Sequence, residues 1–129
     1  MQAQDLYKEE RIGQRFEDLA VWRKARQLRR LIHELRKEKA FGRDFGLRDQ
    51  IRAASVSVMS NIAEGYERDN DAEFGHFLAI AKGSCGEVRS SYVELDHAYL
   101  TDAAFADLAD RAIEVSRMLK GLTQTVRRR

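Results

Sequence analysis

The sequence of 129 residues has no proline, one cysteine and no long apolar run. The single cysteine, Cys85, excludes an intramolecular disulfide, which fits a reducing cytoplasm. The longest uncharged run, Ala53 to Ala63, is far shorter than the ~20 apolar residues that cross a bilayer. Residues 1–15 mix both charges, unlike a signal peptide. We therefore expect a soluble cytoplasmic protein that does not enter a membrane.

The lack of proline and of long glycine- and serine-rich tracts favours helix, because Ala, Leu, Arg and Glu are abundant instead. The length suits one domain. Apolar residues recur every three or four positions in four segments, which predicts four amphipathic helices. The connections between them are short, so neighbouring helices should be antiparallel. The predicted fold is an all-α, antiparallel four-helix bundle.

The predicted helices have the following cores and bounds. The first is capped by Asp18, ends before Gly42 and buries Val21, Trp22, Ala25, Leu28, Ile32 and Leu35. The second buries Leu47, Ile51, Ala54, Val58, Ile62 and Gly65, and is broken by Arg68 to Asp71. The third, capped by Asp71, buries Phe74, Phe77, Ala81, Cys85, Val88, Tyr92, Leu95 and Tyr99. The fourth buries Phe105, Leu108, Ala112, Val115, Leu119, Leu122 and Val126. The bundle should span 16–126, between a polar N-terminal extension at 1–15 and a basic tail at 127–129.

The segment SNIAEGYER places polar residues and a glycine inside the second helix. At ~100° per residue, Gly65 falls within ~20° of the core residue Val58, with Asn61 at the edge of the stripe and Glu64 beyond it. An inward glycine costs ~1 kcal/mol of helix propensity relative to alanine, and its usual use is the close approach of another backbone or ring. Asn61, Glu64 and Gly65 therefore indicate a tight packing site with a polar seam, or else a seam that binds a ligand.

Small residues line the side of the third helix that faces away from its core stripe. They are Ala72, Gly75, Ala79, Gly83, Gly86 and Ser90, followed by Val93. A solvated face would normally carry Glu, Lys and Arg, whereas small residues let another helix come close. We interpret this stripe as an interface between subunits of a homo-oligomer. The alternative is that the same chain covers it, for example with the N-terminal segment.

The small net charge of +2 includes two segments of opposite charge. The segment from Arg23 to Arg52 has a net charge of +7, and the segment from Asp69 to Asp110 has a net charge of −7. On the first helix, four cations fall within ~60° of each other and face away from the core. We call Arg23, Arg26, Arg30 and Lys37 the α1 stripe. Together with the tail of Arg127, Arg128 and Arg129, the stripe is a candidate contact for nucleic-acid phosphates. It could instead pair with the acidic half of a neighbouring subunit, or simply face solvent.

The sequence contains two Glu-x-x-His pairs, Glu73/His76 and Glu94/His97, of the kind that build di-iron sites in helical bundles. Such sites take their pairs from different helices, whereas both pairs here lie on the third helix, 21 residues or ~31 Å apart. No phosphate-binding Gly-x-x-x-x-Gly-Lys motif and no nucleophile elbow occurs. Cys85 reads as a small core residue. We expect no metal, no cofactor and no enzymatic activity.

Four segments resemble the four-helix-bundle proteins encoded in intervening sequences of 23S ribosomal RNA genes. The segments are FEDLAVWRKA at 16–25, FGLRDQIRAASVSVMSNIAEGYER at 45–68, EFGHFLAIAKGSCGEV at 73–88 and LDHAYL at 95–100. Relatives of that family include accessory proteins of diversity-generating retroelements, which form homopentameric rings and bind nucleic acid and a reverse transcriptase. The resemblance therefore implies a pentamer, with RNA or DNA and a reverse transcriptase as partners. Many members carry a proline before the Asn-Ile-Ala-Glu-Gly segment; here Val58-Met59-Ser60 leaves the helix unkinked.

These observations predict a non-enzymatic, homo-oligomeric binding or scaffold module. It would contact nucleic acid, or an enzyme that acts on nucleic acid, through the basic face of the first helix. The alternative is a purely protein-binding assembly in which the oppositely charged halves pair subunits with one another.

Overall fold

The structure, a computed structural model, describes residues 15–129, except for the side chains of residues 39–40 and 94–98. Within this part of the chain, a 3-10 turn at Phe16–Asp18 precedes five helices. They are α1 (Ala20–Leu35), α2 (Lys39–Arg43), α3 (Phe45–Tyr66), α4 (Asp71–Tyr99) and α5 (Asp102–Arg127). Of the predicted N-terminal extension, all but Arg15 lies outside the described residues.

The four long helices form the predicted all-α bundle. Only residues 67–70 separate α3 from α4, and only residues 100–101 separate α4 from α5, so each of these helices must reverse direction. Both α1 and α4 pack against α3 and α5, which places α1 and α4 on opposite sides of the bundle. The prediction of an all-α bundle is confirmed.

The core is built from the stripes that the three-and-four spacing predicts. Fully buried members include Leu28, Ile51, Ile62, Phe74, Leu108 and Leu119. Phe77 is only half-buried, and its neighbour Leu78 fills the core instead.

Cys85 is buried as expected, and its thiol donates to the Ala112 carbonyl oxygen at 3.3 Å. Burial raises the pKa of Cys85 to about 11, against an opposing effect of Arg89, so the thiol stays protonated and poorly nucleophilic near neutral pH.

The first predicted helix is interrupted. It ends at Leu35 rather than just before Gly42, and the extended backbone of Glu38 (ψ 122°) starts the separate short helix α2. The reason is Phe41, which is 0% exposed. On a continuous α1, this ring would lie roughly 160° from the core stripe and face water. The break turns it inward, where α2 packs against α3 and α4.

Two predicted helix caps are wrong by a residue. Leu19, 1% exposed, occupies the N-cap position of α1 without a side-chain cap, while Asp18 accepts a hydrogen bond from the Arg15 backbone N–H at 3.3 Å. At α4, the side chain of Asn70 accepts from the Glu73 N–H at 2.8 Å, and Asp71 is the first helical residue. Asn and Asp are about equally good N-cap residues, so residue type alone could not show which of these two adjacent residues caps α4.

α3 and α4 approach each other closely at Gly65. A Cβ built on Gly65 would lie 2.6 Å from the Cβ of Phe77 and 3.0 Å from the ring of Phe74. The predicted close approach to a neighbouring helix is therefore confirmed. Asn61 is half-buried, and its amide nitrogen donates to the carbonyl and hydroxyl oxygens of Ser57, at 2.9 and 3.1 Å.

The polar seam beside Gly65 is a structural contact within the chain. The hydroxyl of Ser57 lies 2.7 Å from that of Ser84 on α4. At the end of the seam, Glu64 is exposed and pairs with Arg68 at 3.1 Å, and the Arg68 guanidinium lies 5.0 Å from the centre of the Phe77 ring. Asn61, Glu64 and Arg68 thus have contacts within the chain itself.

Candidate nucleic-acid interface

The exposed face of α1 carries three arginines of the α1 stripe. Arg23, Arg26 and Arg30 are exposed. Arg26 lies over the Trp22 ring, 5.7 Å from its centre, and that ring packs edge-on against Phe16. Among the described side chains, no carboxylate lies within ion-pair distance of these three guanidinium groups. Within residues 15–129, their charge is therefore not neutralised by a described acidic neighbour.

Lys37, the fourth member of the α1 stripe, differs from the other three. Its ammonium nitrogen lies 2.7 Å from a carboxylate oxygen of Glu34. This hydrogen bond, followed by the lysine's charge, holds the pKa of Glu34 below its usual value. Because Glu34 already balances the lysine, Lys37 adds little net positive charge to the stripe.

A cationic cleft lies beside the stripe, between α1 and α3. Its lining consists of Arg29, Ile32 and His33 from α1, Arg36 from the C-cap of α1, and Arg48 and Arg52 from α3. The cavity has a volume of about 260 Å³. Arg29, His33 and the C-cap residue Arg36 are spaced by four and three residues, and Arg48 and Arg52 are four residues apart. Each helix therefore turns one row of side chains towards the other. We call these residues the α1/α3 cleft.

One arginine of the α1/α3 cleft is held in place by its neighbours. The side chain of Arg48 donates to the Gly42 carbonyl oxygen at 3.3 Å and pairs with Asp49 at 3.5 Å. Its guanidinium also lies 4.6 Å from the centre of the Phe45 ring. The short helix α2, which the break separates from α1, therefore has a role in the cleft, because its Gly42 carbonyl group anchors Arg48.

The other cleft arginines have no such partners. Within the described residues, no carboxylate pairs with Arg29, Arg36 or Arg52. Like charges that converge on one cavity repel each other, and an anion with several acceptor oxygens relieves that repulsion. The cleft is therefore suited to bind a phosphate or a carboxylate group.

Sequence analysis missed the α1/α3 cleft. The spacing of its arginines was available, but only the fold shows that Arg29 and Arg36, on α1 and its C-cap, face Arg48 and Arg52 on α3. Sequence periodicity separates core from surface and does not say which flanks of two helices meet.

The C-terminal arginines lie elsewhere. Arg127 packs against Gly75 on α4, where a Cβ on the glycine would lie 3.3 Å from its side chain. Arg129 pairs with Asp71 at 3.6 Å, while Arg128 is exposed. The structure therefore places Arg127 and Arg129 against the start of α4, on the opposite side of the bundle from α1.

The small-residue stripe of α4 is only partly covered by the chain itself. Ala72, Gly83, Gly86 and Ser90 are exposed, Ala79 is half-buried, and Gly75 is buried beneath Arg127. A Cβ on Gly83 or Gly86 would meet no atom within 4 Å, so packing inside the chain does not require either glycine. The N-terminal segment, which was the suggested cover, lies outside the described residues.

A groove between α4 and α5 borders this stripe. Its volume is about 570 Å³, and ten residues line it: Ala79, Lys82, Gly83, Gly86, Arg89, Ser116, Lys120, Thr123, Gln124 and Arg127. The lining contains four cations and no carboxylate. Lys82 and Arg89 are the cations of the otherwise acidic segment 69–110, and the fold sets both against the basic end of α5.

The described part of the chain includes the side chains of the first Glu-x-x-His pair, Glu73 and His76. No cluster of three or more His, Cys, Asp or Glu side chains could hold a metal ion there. His76 is exposed and lies beside Phe77, while the side chains of the second pair, Glu94 and His97, lie outside the described residues. None of the described helices is long and apolar enough to cross a membrane.

The family comparison agrees with the helical architecture. The family model described as 23S rRNA-intervening sequence protein matches residues 17–121, which takes in the α1 stripe, the α1/α3 cleft and the Gly65 seam. No curated protein sequence matches the chain. Because the family model covers most of the sequence, the chain belongs to the family of 23S rRNA-intervening sequence proteins.

Proposed function

We propose that the protein is a non-enzymatic, homo-oligomeric module that binds nucleic acid through the α1 stripe and the adjoining α1/α3 cleft. The observation that carries the proposal is the set of arginines on these two surfaces that lack carboxylate partners among the described residues. Arginine suits this role because its planar fork of donors matches the oxygens of phosphate. Contacts of this kind go to the backbone of the nucleic acid, so we expect little preference for base sequence.

Assembly would strengthen such binding. One chain offers only a few phosphate contacts and a net charge of +2. A symmetric ring would repeat the basic face on every subunit, which raises the effective concentration of binding sites and focuses the electrostatic field. A pentamer and a reverse transcriptase as partner, both implied by the family resemblance, stay predictions.

The test is a triple charge reversal, Arg23→Glu, Arg26→Glu and Arg30→Glu. Log affinity falls linearly with the logarithm of the salt concentration. Each phosphate that the protein neutralises makes the slope of this line more negative by about 0.9 on a duplex and by about 0.7 on a single strand. The variant should bind more weakly and show a flatter salt dependence on every sequence tested. Fluorescence anisotropy with labelled oligonucleotides over a series of salt concentrations measures both quantities.

A variant of equal charge change provides the control. Lys24→Glu, Arg68→Glu and Arg111→Glu alter three cations that already pair with carboxylates, at 3.1, 3.1 and 2.9 Å. This control should reduce affinity less. If the stripe variant instead retains nucleic-acid binding but dissociates into smaller particles, the stripe is a subunit contact and the proposal is wrong.

The groove between α4 and α5 favours a second candidate, a purely protein-binding assembly. Its four cations lack carboxylates in the lining, so the acidic segment of a neighbouring chain could supply them. The exposed Gly83 and Gly86 would then let that neighbour approach the backbone of α4 closely.

Gly83→Arg tests whether this face joins subunits. A side chain at Gly83 projects into open space in the single chain, so helicity measured by circular dichroism should stay unchanged. A large cation should nonetheless block a close subunit contact, and light scattering should show particles smaller than those of the unmodified protein. An unmodified protein that is already monomeric at high concentration would contradict the assembly.

A further inference from the structure

We propose that the α1/α3 cleft binds a phosphate monoester, and that its source is the phosphorylated end of a nucleic-acid strand. The inference rests on the proposed function for the identity of the strand. It differs from that function in assigning a distinct ligand group to the cleft, whereas the exposed α1 stripe contacts phosphates along the strand.

Charge favours a monoester over a phosphate inside the strand. A phosphodiester inside the nucleic-acid strand carries one negative charge. A phosphate monoester at the end of the strand carries about −1.5 to −2 and has three free acceptor oxygens. The cleft brings together four guanidinium groups, each with five N–H donors, and the imidazole of His33. Only the more highly charged group matches this concentration of donors and positive charge.

The size of the cleft agrees with an end group. Pockets for whole small-molecule ligands commonly measure about 300–1,000 Å³, and this cavity is smaller, at about 260 Å³. Ile32, which lines it from α1, is almost fully buried. A single phosphate with part of its sugar can enter a space of this size while the rest of the strand continues over the exposed face of α1.

Part of the cleft is preorganised. Arg48 is positioned by the Gly42 carbonyl, by Asp49 and by the Phe45 ring, so little of its conformational freedom remains to be lost on binding. Arg29 and Arg52, which approach from the two helices and have no described carboxylate partner, supply the charge that Asp49 partly offsets at Arg48. These two residues should therefore determine the affinity for the phosphate.

The experiment compares oligonucleotides of one sequence that carry a 5′-phosphate, a 3′-phosphate or only hydroxyl ends. A charge-assisted hydrogen bond corresponds to a factor of roughly 10–100 in affinity. The unmodified protein should bind one phosphorylated form at least about tenfold more tightly than the hydroxyl form. The double variant Arg29→Gln and Arg52→Gln should lose that preference while retaining its helical circular dichroism spectrum.

The matched control is Arg23→Gln and Arg30→Gln, which removes two charges from the exposed face of the same region. This control should weaken binding of all three oligonucleotides and leave the ratio between them unchanged. Equal affinity of the unmodified protein for phosphorylated and hydroxyl ends would overturn the inference, yet a normal salt dependence would still support the proposed function.

A free nucleoside monophosphate and inorganic phosphate distinguish the two sources of the monoester. If the phosphorylated oligonucleotide binds more tightly than either, the strand end is supported. If a monophosphate binds as tightly as the oligonucleotide, and the cleft variant loses that binding, the strand end is wrong as the source. If no oligonucleotide binds at all, the proposed function and this inference both fail.

Discussion

Replacing Gly65 with leucine should lower the free energy of unfolding by about 1–3 kcal/mol, the usual cost of overpacking a core. The added Cβ would lie 2.6 Å from the Cβ of Phe77. That atom is fixed to the backbone, so relief requires α3 and α4 to move apart rather than a side chain to rotate. Thermal unfolding monitored by circular dichroism should show a decrease in Tm of roughly 3–5 °C for each kcal/mol in a chain of this size.

Gly121→Ala is the matched control for Gly65→Leu. Gly121 lies inside α5, is exposed, and would place a Cβ more than 4 Å from any neighbouring atom. Alanine there should raise stability by about 0.5–1 kcal/mol, because it favours helix over the unfolded chain. Opposite changes in Tm at the two glycines would show that only Gly65 is needed for close packing. An unchanged Tm in Gly65→Leu would contradict that conclusion.

Sequence periodicity predicted the parts of the fold that depend on one helix at a time. The angle between Val58 and Gly65 is fixed by the helical repeat, so the inward glycine followed from spacing alone. The core stripes followed for the same reason. The neighbour of Gly65 could not be predicted in this way, because Phe77 comes close only after α3 and α4 pack.

The rest of the fold and the site depended on long-range contacts. The local pattern near Phe41 is helical on both sides, and the break before α2 accompanies burial of that ring against α3 and α4. The same break brings the Gly42 carbonyl to Arg48 and so shapes the α1/α3 cleft. Sequence reasoning therefore found the exposed arginines on α1 but not the cleft beside them.

Phe41→Ala is expected to have the largest effect on stability, a loss of about 3–5 kcal/mol of unfolding free energy. Phe41 is a fully buried side chain of α2, a helix of five residues that cannot hold its conformation by backbone hydrogen bonds alone. Its removal leaves a cavity against α3 and α4 and takes away the main reason for the chain to turn inward. In chemical denaturation, the variant should unfold at a lower midpoint concentration of denaturant than the unmodified protein.

Phe45→Ala, four residues further on, makes the same chemical change at a ring that is 63% exposed. Its described contact is with the Arg48 guanidinium, at 4.6 Å, and an exposed contact of this kind contributes about 0.5–1 kcal/mol. The denaturation midpoint of Phe45→Ala should therefore fall far less than that of Phe41→Ala. Similar midpoints for the two variants would mean that the inward turn at α2 does not depend on Phe41, and that α1 is interrupted for another reason.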